Sequence, residues 1–196
     1  MPQLNPGAVL DRHDLTTING QPVPIPDAER LVHLQFRRYA GCPVCNLHLR
    51  SFASRQDEIL AAGVCEVVVF HSRRETMLEF QGQLPFAAIA DPERKLYSEF
   101  GVGTMSPLVA LDPRSWRAAA RALSRAPSLR GAAGRGEQHL GQPADFLISS
   151  DGRILAAKYG TRADDHWSVD ELLGLAEDSN VTAVIKASDV IVATGD

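Results

Sequence analysis

A change of hydrophobic period at Gly41 constrains this chain more than any other feature. Upstream, Leu31-Val32-His33-Leu34-Gln35-Phe36 alternates apolar and polar side chains, which predicts a strand. Downstream, Cys45, Leu49, Phe52, Gln56 and Ile59 recur at helical spacing, and Gly63 ends the run as a C′ glycine would. The junction between the two reads Gly41-Cys42-Pro43-Val44-Cys45. Its cysteines fall between a strand end and a helix start, where unpaired backbone amides and the helix dipole favour negative charge. A thiolate there is stabilised, so a thiol pKa falls below its free value of about 8.5. Arg37 and Arg38 add to this if their side chains turn toward the sulfurs. Residues at i and i+3 on a helical turn lie roughly 5–6 Å apart at Cβ. Small adjustments bring such a pair to disulfide geometry, so Cys42 and Cys45 can cycle between dithiol and disulfide.

The rest of the chain supplies strands and helices in alternation. Leu15 to Ile25 predicts a hairpin around Asn19-Gly20, with prolines that place it at a sheet edge. Val64-Cys65-Glu66-Val67-Val68-Val69-Phe70 suits a central parallel strand covered on both faces. Ser72-Arg73-Arg74-Glu75 has capping-box spacing and predicts a helix to about Phe80. Phe86 to Ala90 is the next strand, and Asp91-Pro92 and Asp112-Pro113 each predict a helix start. Residues 125–142, rich in Gly, Ala and Arg, read as a mobile, solvated loop. Ala144 to Ser149 and Arg153 to Tyr159 form a second hairpin around Asp151-Gly152, and Ser168-Val169-Asp170-Glu171 is a second capping box. The reading is one α/β domain over residues 1–178, a mixed sheet flanked by helices with an N-terminal β-hairpin. The tail 179–196 stays unassigned, although Val181 to Ile185 would suit an edge strand.

Composition narrows the function. A net charge of −4 and a pI near 5.9 give no reason to expect nucleic acid as a partner. The N-terminus lacks a secretory pattern, and the apolar run Val67 to Phe70 is far short of a membrane span. Three cysteines are too few, and of the wrong parity, for a secreted disulfide scaffold, so a reducing cytoplasm is the expected setting. Cys42, Cys45 and His48 offer three metal ligands, yet no second Cys/His cluster follows, and no metal or other cofactor is expected. Cys65 reads as a packed core thiol, and His33, His71, His139 and His166 as structural or solvated residues.

Several stretches then resemble the peroxiredoxin-like branch of the alkyl hydroperoxide reductase/thiol-specific antioxidant family, within the thioredoxin superfamily. They are Phe36-Arg37-Arg38-Tyr39-Ala40-Gly41-Cys42-Pro43-Val44-Cys45, Val67 to Phe70, Leu84-Pro85-Phe86 with Ala90-Asp91-Pro92, and Ala144 to Ile148 with Asp151-Gly152-Arg153-Ile154. The resemblance implies a thioredoxin-like fold and a thiol–disulfide oxidoreductase or thiol peroxidase. It makes Cys42 and Cys45 catalytic, puts Tyr39, Gly41 and Pro43 on the substrate surface, and adds Pro143 as a cis-proline facing the cysteines. It also implies a peroxide or disulfide substrate and an external thiol donor such as thioredoxin or glutathione, and it leaves a homodimer open. The family's Pro-x-x-x-Thr-x-x-Cys is here Arg38-Tyr39-Ala40-Gly41-Cys42-Pro43-Val44-Cys45, with arginine for the proline and cysteine for the threonine. Two orders of attack follow: Cys42 as an exposed nucleophile on a disulfide, or Cys45 on a peroxide with Cys42 resolving. The first is favoured. A redox sensor or interaction module on the same fold is the non-enzymatic alternative.

Overall fold

The computed structural model describes residues 2–126, 131–134 and 136–179. The hairpin strands β1 (His13–Thr16) and β2 (Pro22–Ile25) are followed by β3 (Leu31–Phe36), α1 (Pro43–Ser54), α2 (Gln56–Ala61) and β4 (Val64–Phe70). Then come α3 (Arg74–Gln81), β5 (Ala87–Ala90), α4 (Lys95–Glu99), a 3-10 turn (Pro107–Leu111), α5 (Pro113–Arg125), β6 (Ala144–Ile148), β7 (Ile154–Tyr159) and α6 (169–179). Strands β5-β4-β3-β6-β7 form one sheet, parallel across β5, β4 and β3 and antiparallel from β3 through β6 to β7. This is the mixed central sheet of a thioredoxin-like fold.

The register explains where the core lies. Val32, Leu34 and Phe36 of β3 share one face with Val67 and Val69 of β4 and with Phe146 and Ile148 of β6, against Tyr97 and Phe100. The polar residues of β3 do not meet water as its alternation suggests. His33 and Gln35 point to the opposite face and are as buried as their neighbours, because β3 is the middle strand and α1 and α6 cover that side. Their partners belong to the site described below.

Several local expectations are corrected. The N-terminal hairpin turns at Gly20, whose φ is +83°, but β1 and β2 pair only with each other among the described residues and do not join the main sheet. The helix expected up to Gly63 breaks at Arg55, whose amide bonds the Phe52 carbonyl (3.1 Å), giving α1 and α2. Ser72 does not cap α3; its hydroxyl accepts from the Ala40 amide (2.9 Å), and Arg73 occupies the N-cap. Asp91 stands further from its helix than expected, yet its carboxylate still accepts from the amides of Lys95 (3.0 Å) and Leu96 (2.8 Å). Cys65 is half-buried rather than packed in the core. The Gln142–Pro143 bond is trans, against the cis form the resemblance implied; among the described residues the cis peptide lies at Ile25–Pro26. The edge strand considered at Val181 to Ile185 falls outside the described residues.

Other expectations hold. Asp112 caps α5 by accepting from the Arg114 amide (2.8 Å), and Gly63 has φ +76°. Ser168 and Glu171 bond reciprocally: Glu171 Oε2 accepts from the Ser168 amide (2.7 Å) and Ser168 Oγ from the Glu171 amide (3.2 Å). Ser168→Ala is therefore expected to lower the unfolding free energy by about 1 kcal/mol, read by urea denaturation. An unchanged midpoint would show that water caps the helix equally well.

Candidate active site

Cys42 and Cys45 sit where the sequence places them, at the N-terminus of α1, with Cys42 as the N-cap residue and Pro43 in the first turn. The Cys45 amide donates to Cys42 Sγ (3.3 Å), as an N-cap side chain requires, and Arg38 Nη2 donates to the same sulfur (2.9 Å). Both cysteines are free thiols, and they hydrogen-bond to each other. Neither is exposed: each is 0% accessible, so Cys42 is not the open nucleophile that one of the two orders of attack assumed.

The two cysteines pack among Tyr39, Ala40, Leu49, Val68, Phe70 and Met77, and the turn beside them is overlaid by the segment expected to be a loose loop. Its described part beyond α5 and its cap, residues 131–134 and 136–142, packs down onto the turn between β3 and α1. Tyr39 Oη donates to the Ala132 carbonyl (2.8 Å), and the Tyr39 and His139 rings meet edge-on with centroids 4.8 Å apart. Arg38 Nη1 donates to the His139 carbonyl (3.0 Å), so one guanidinium ties the cover and a sulfur together. Glu137 approaches His71 Nδ1 at 3.4 Å. Gly41 is required by this packing, since a Cβ there would run into the Gly131 backbone.

The two thiols titrate apart. Burial opposes ionisation of Cys45, but the Cys42 thiol, the Arg38 charge and amide and the Arg37 charge outweigh it, holding Cys45 down at about 5. Burial and the neighbouring Cys45 push Cys42 well above the usual thiol value. The pair is thus drawn toward a single negative charge held between the two sulfurs, with Arg38 beside them and the remaining S–H bonding from one to the other.

Behind the pair lies a buried ionic network that the sequence reading missed. His33 Nδ1 faces Glu66 Oε1 (2.9 Å) and its Nε2 faces Asp145 Oδ1 (3.2 Å), so both ring nitrogens meet carboxylates. Burial works against the imidazolium, yet the two acids raise His33 to about 9. Arg37 Nη2 donates to Asp145 Oδ1 (2.6 Å), Gln35 Oε1 (2.6 Å) and His48 Nε2 (3.0 Å), and Gln35 in turn donates to Glu66. Since a guanidinium only donates, His48 Nε2 must accept, which puts its proton on Nδ1. Burial, then His166 and Arg37, keep His48 neutral. Two carboxylates are matched by Arg37 and a protonated His33, with all four side chains fully buried. A signal existed: Glu66 is a lone acid within an apolar strand, and a buried charge needs a partner. Among the described residues no cluster of metal-ligating side chains is present. No helix there is long and apolar enough to cross a membrane.

Of the residues expected on the substrate surface, Tyr39 and Gly41 lie against the cover. Gly41 and Pro43 also line a cavity of about 400 Å³ with Asn46, Leu49, Arg50 and Phe80. Pro143 is buried beside Gly160.

Comparison with known proteins agrees with this architecture. The model of the family described as AhpC/TSA antioxidant enzyme matches residues 51–162, more than half of the chain, beginning beyond both cysteines. No curated protein matches. Similar solved structures include peroxidoxin BcpB of Mycobacterium tuberculosis, at 15% identity and TM-score 0.65 over 90% of this chain and 98% of that one. A cysteine-to-serine mutant of peroxiredoxin 6 of Arenicola marina gives 16% and 0.68 over 92% and 75%. A putative thiol:disulfide interchange protein DsbE of Chlorobium tepidum gives 20% and 0.58 over 89% and 99%. At such identities these likenesses speak to fold alone. The matched family and the Cys42–Cys45 pair at its helix start together make this chain a member of the AhpC/TSA antioxidant enzyme family, a peroxiredoxin-like thiol oxidoreductase.

Proposed function

We propose that the protein is a two-cysteine peroxide reductase in which Cys45 attacks and Cys42 resolves. The enclosure of the pair carries this reading: both sulfurs are fully buried, and the turn beside them is overlaid by residues pinned by Arg38 and Tyr39. A small peroxide needs a slight local opening to reach them, whereas a protein disulfide needs the whole cover displaced. The Cys45 thiolate attacks one peroxide oxygen, the O–O bond breaks, and the other oxygen leaves and is protonated to water or an alcohol. Cys45 is then a sulfenic acid. The Cys42 thiol attacks its sulfur, the disulfide forms, and the sulfenic oxygen leaves as water. Arg38 serves in place of the missing threonine, stabilising the departing oxygen as well as the thiolate.

This order reverses the one favoured from sequence, which required an exposed Cys42. Tyr39, Gly41 and Pro43 wall the approach, and Pro143 braces the sheet end behind it. An external thiol donor of the thioredoxin or glutathione kind restores the dithiol, and a reducing cytoplasm suits the cycle. The test exposes Cys42→Ser and Cys45→Ser proteins to hydrogen peroxide with a sulfenic-acid trap, followed by mass spectrometry. A label on Cys45 in the first protein and none in the second is expected. A label on Cys42 in the second, with none on Cys45 in the first, would reverse the roles.

A further inference from the structure

The 3-10 turn and α5 present a face that the chemistry above does not use. Leu108 (70%), Leu111 (76%) and Trp116 (70%) are largely exposed, and Leu123 lies one heptad beyond Trp116 on the same side of α5. Arg114, Arg117, Arg121 and Arg125 follow spacings of three, four and four, forming a second stripe, while Ala118 and Ala122 face inward. The helix Pro113–Arg125 contains no acidic residue, and among the described residues none of these four arginine side chains makes an ion pair. Tryptophan and arginine set among exposed leucines are the composition of protein–protein contact centres.

The helix that carries this face also packs on α1, whose first turn holds the dithiol. Between the two helices, Arg50 Nη1 donates to the Arg125 carbonyl (3.0 Å). A cavity of about 330 Å³ between them is lined by Val44, His48, Arg121, Arg125 and His166, and Val44 lies between the two cysteines in sequence.

We propose that this face docks an acidic dithiol protein that returns electrons to the Cys42–Cys45 disulfide; the proposal rests on the dithiol cycle above. Charge decides the occupant. The helix carries four arginines and no acidic residue, and an acidic patch on a protein matches that stripe within a Debye length. In the docked complex, with the residues over Arg38 and Tyr39 displaced, a donor thiolate attacks Cys42 Sγ, the Cys42–Cys45 bond breaks, and Cys45 leaves as a thiolate. The donor's second thiol then displaces Cys42. One donor disulfide forms, and two electrons and two protons have passed to the pair.

Stopped-flow reduction of the oxidised protein tests this, with a reduced acidic thioredoxin-class protein as one donor and dithiothreitol as the other. Arg114→Glu/Arg117→Glu is expected to slow the protein donor about ten-fold at low salt and to flatten its salt dependence, leaving dithiothreitol unchanged. Trp116→Gln is expected to slow the protein donor with the salt dependence intact. An unchanged protein-donor rate in both variants overturns the proposal. So do equal losses with both donors, because the face would then act through the dithiol and not through docking. Co-sedimentation with phosphatidylserine-containing vesicles, lost in the variants while the donor rate holds, assigns the face to lipid instead. Failure of the unaltered protein to consume peroxide even with dithiothreitol refutes the cycle itself, and is seen separately.

Discussion

Arg38→Leu is expected to move the ionisation of Cys45 from about 5 toward the free-thiol value near 8.5. Burial already opposes the charge, and the arginine that offsets it is gone. Near pH 6 the thiolate fraction falls from about nine-tenths to below about one-hundredth. The more basic thiolate is intrinsically the better nucleophile, so part of that loss is returned in rate. The thiolate absorbance and the rate of iodoacetamide labelling, both followed against pH, give the midpoint directly. The sign is fixed: in the unaltered protein reactivity appears as pH rises through about 5, and the variant should show it only several units higher. The same depressed value makes the folded state more stable above the free-thiol pKa, a contribution lost as pH falls through about 5. A midpoint unmoved in Arg38→Leu would mean that the Cys42 thiol, the amide of residue 38 and Arg37 ionise Cys45 without the Arg38 guanidinium.

Arg37→Leu should be the most damaging change to stability, about 3–5 kcal/mol by denaturant unfolding. It removes one of two cations that neutralise Glu66 and Asp145, in a place where all of these side chains are fully buried. Removing Asp145 as well, in Arg37→Leu/Asp145→Leu, should recover part of the loss because no stranded charge remains. A double variant no better than the single would sink the account of the network as matched charges. The pH dependence follows from the shifts. His33 is raised to about 9, so its contribution is full below its ordinary value and is lost as pH rises through about 9. Asp145 is held far below the ordinary carboxylate range, first against burial and then by Arg37 and His33, so its contribution persists until strong acid.

The junction of β3 and α1 was legible because its signals are local: a change of period, two cysteines and a proline within a few residues. The capping boxes divide on the same ground. Ser168 caps its own helix, while Ser72 is drawn away by the Ala40 amide, a partner 32 residues distant. His33 finds Glu66 33 residues away and Asp145 112 residues away, so an alternating strand hid a buried charge cluster. The turn beside the cysteines is overlaid by a segment bonded to Tyr39 across 93 residues, and no spacing near Cys42 announces it.

That cover also makes the site a gauge of its own breathing. With both sulfurs at zero exposure, a slender reagent and a bulky one meet the same thiolate through openings of different size. The ratio of their labelling rates in the reduced protein therefore reports the free energy of lifting the cover, residue by residue as its anchors are cut.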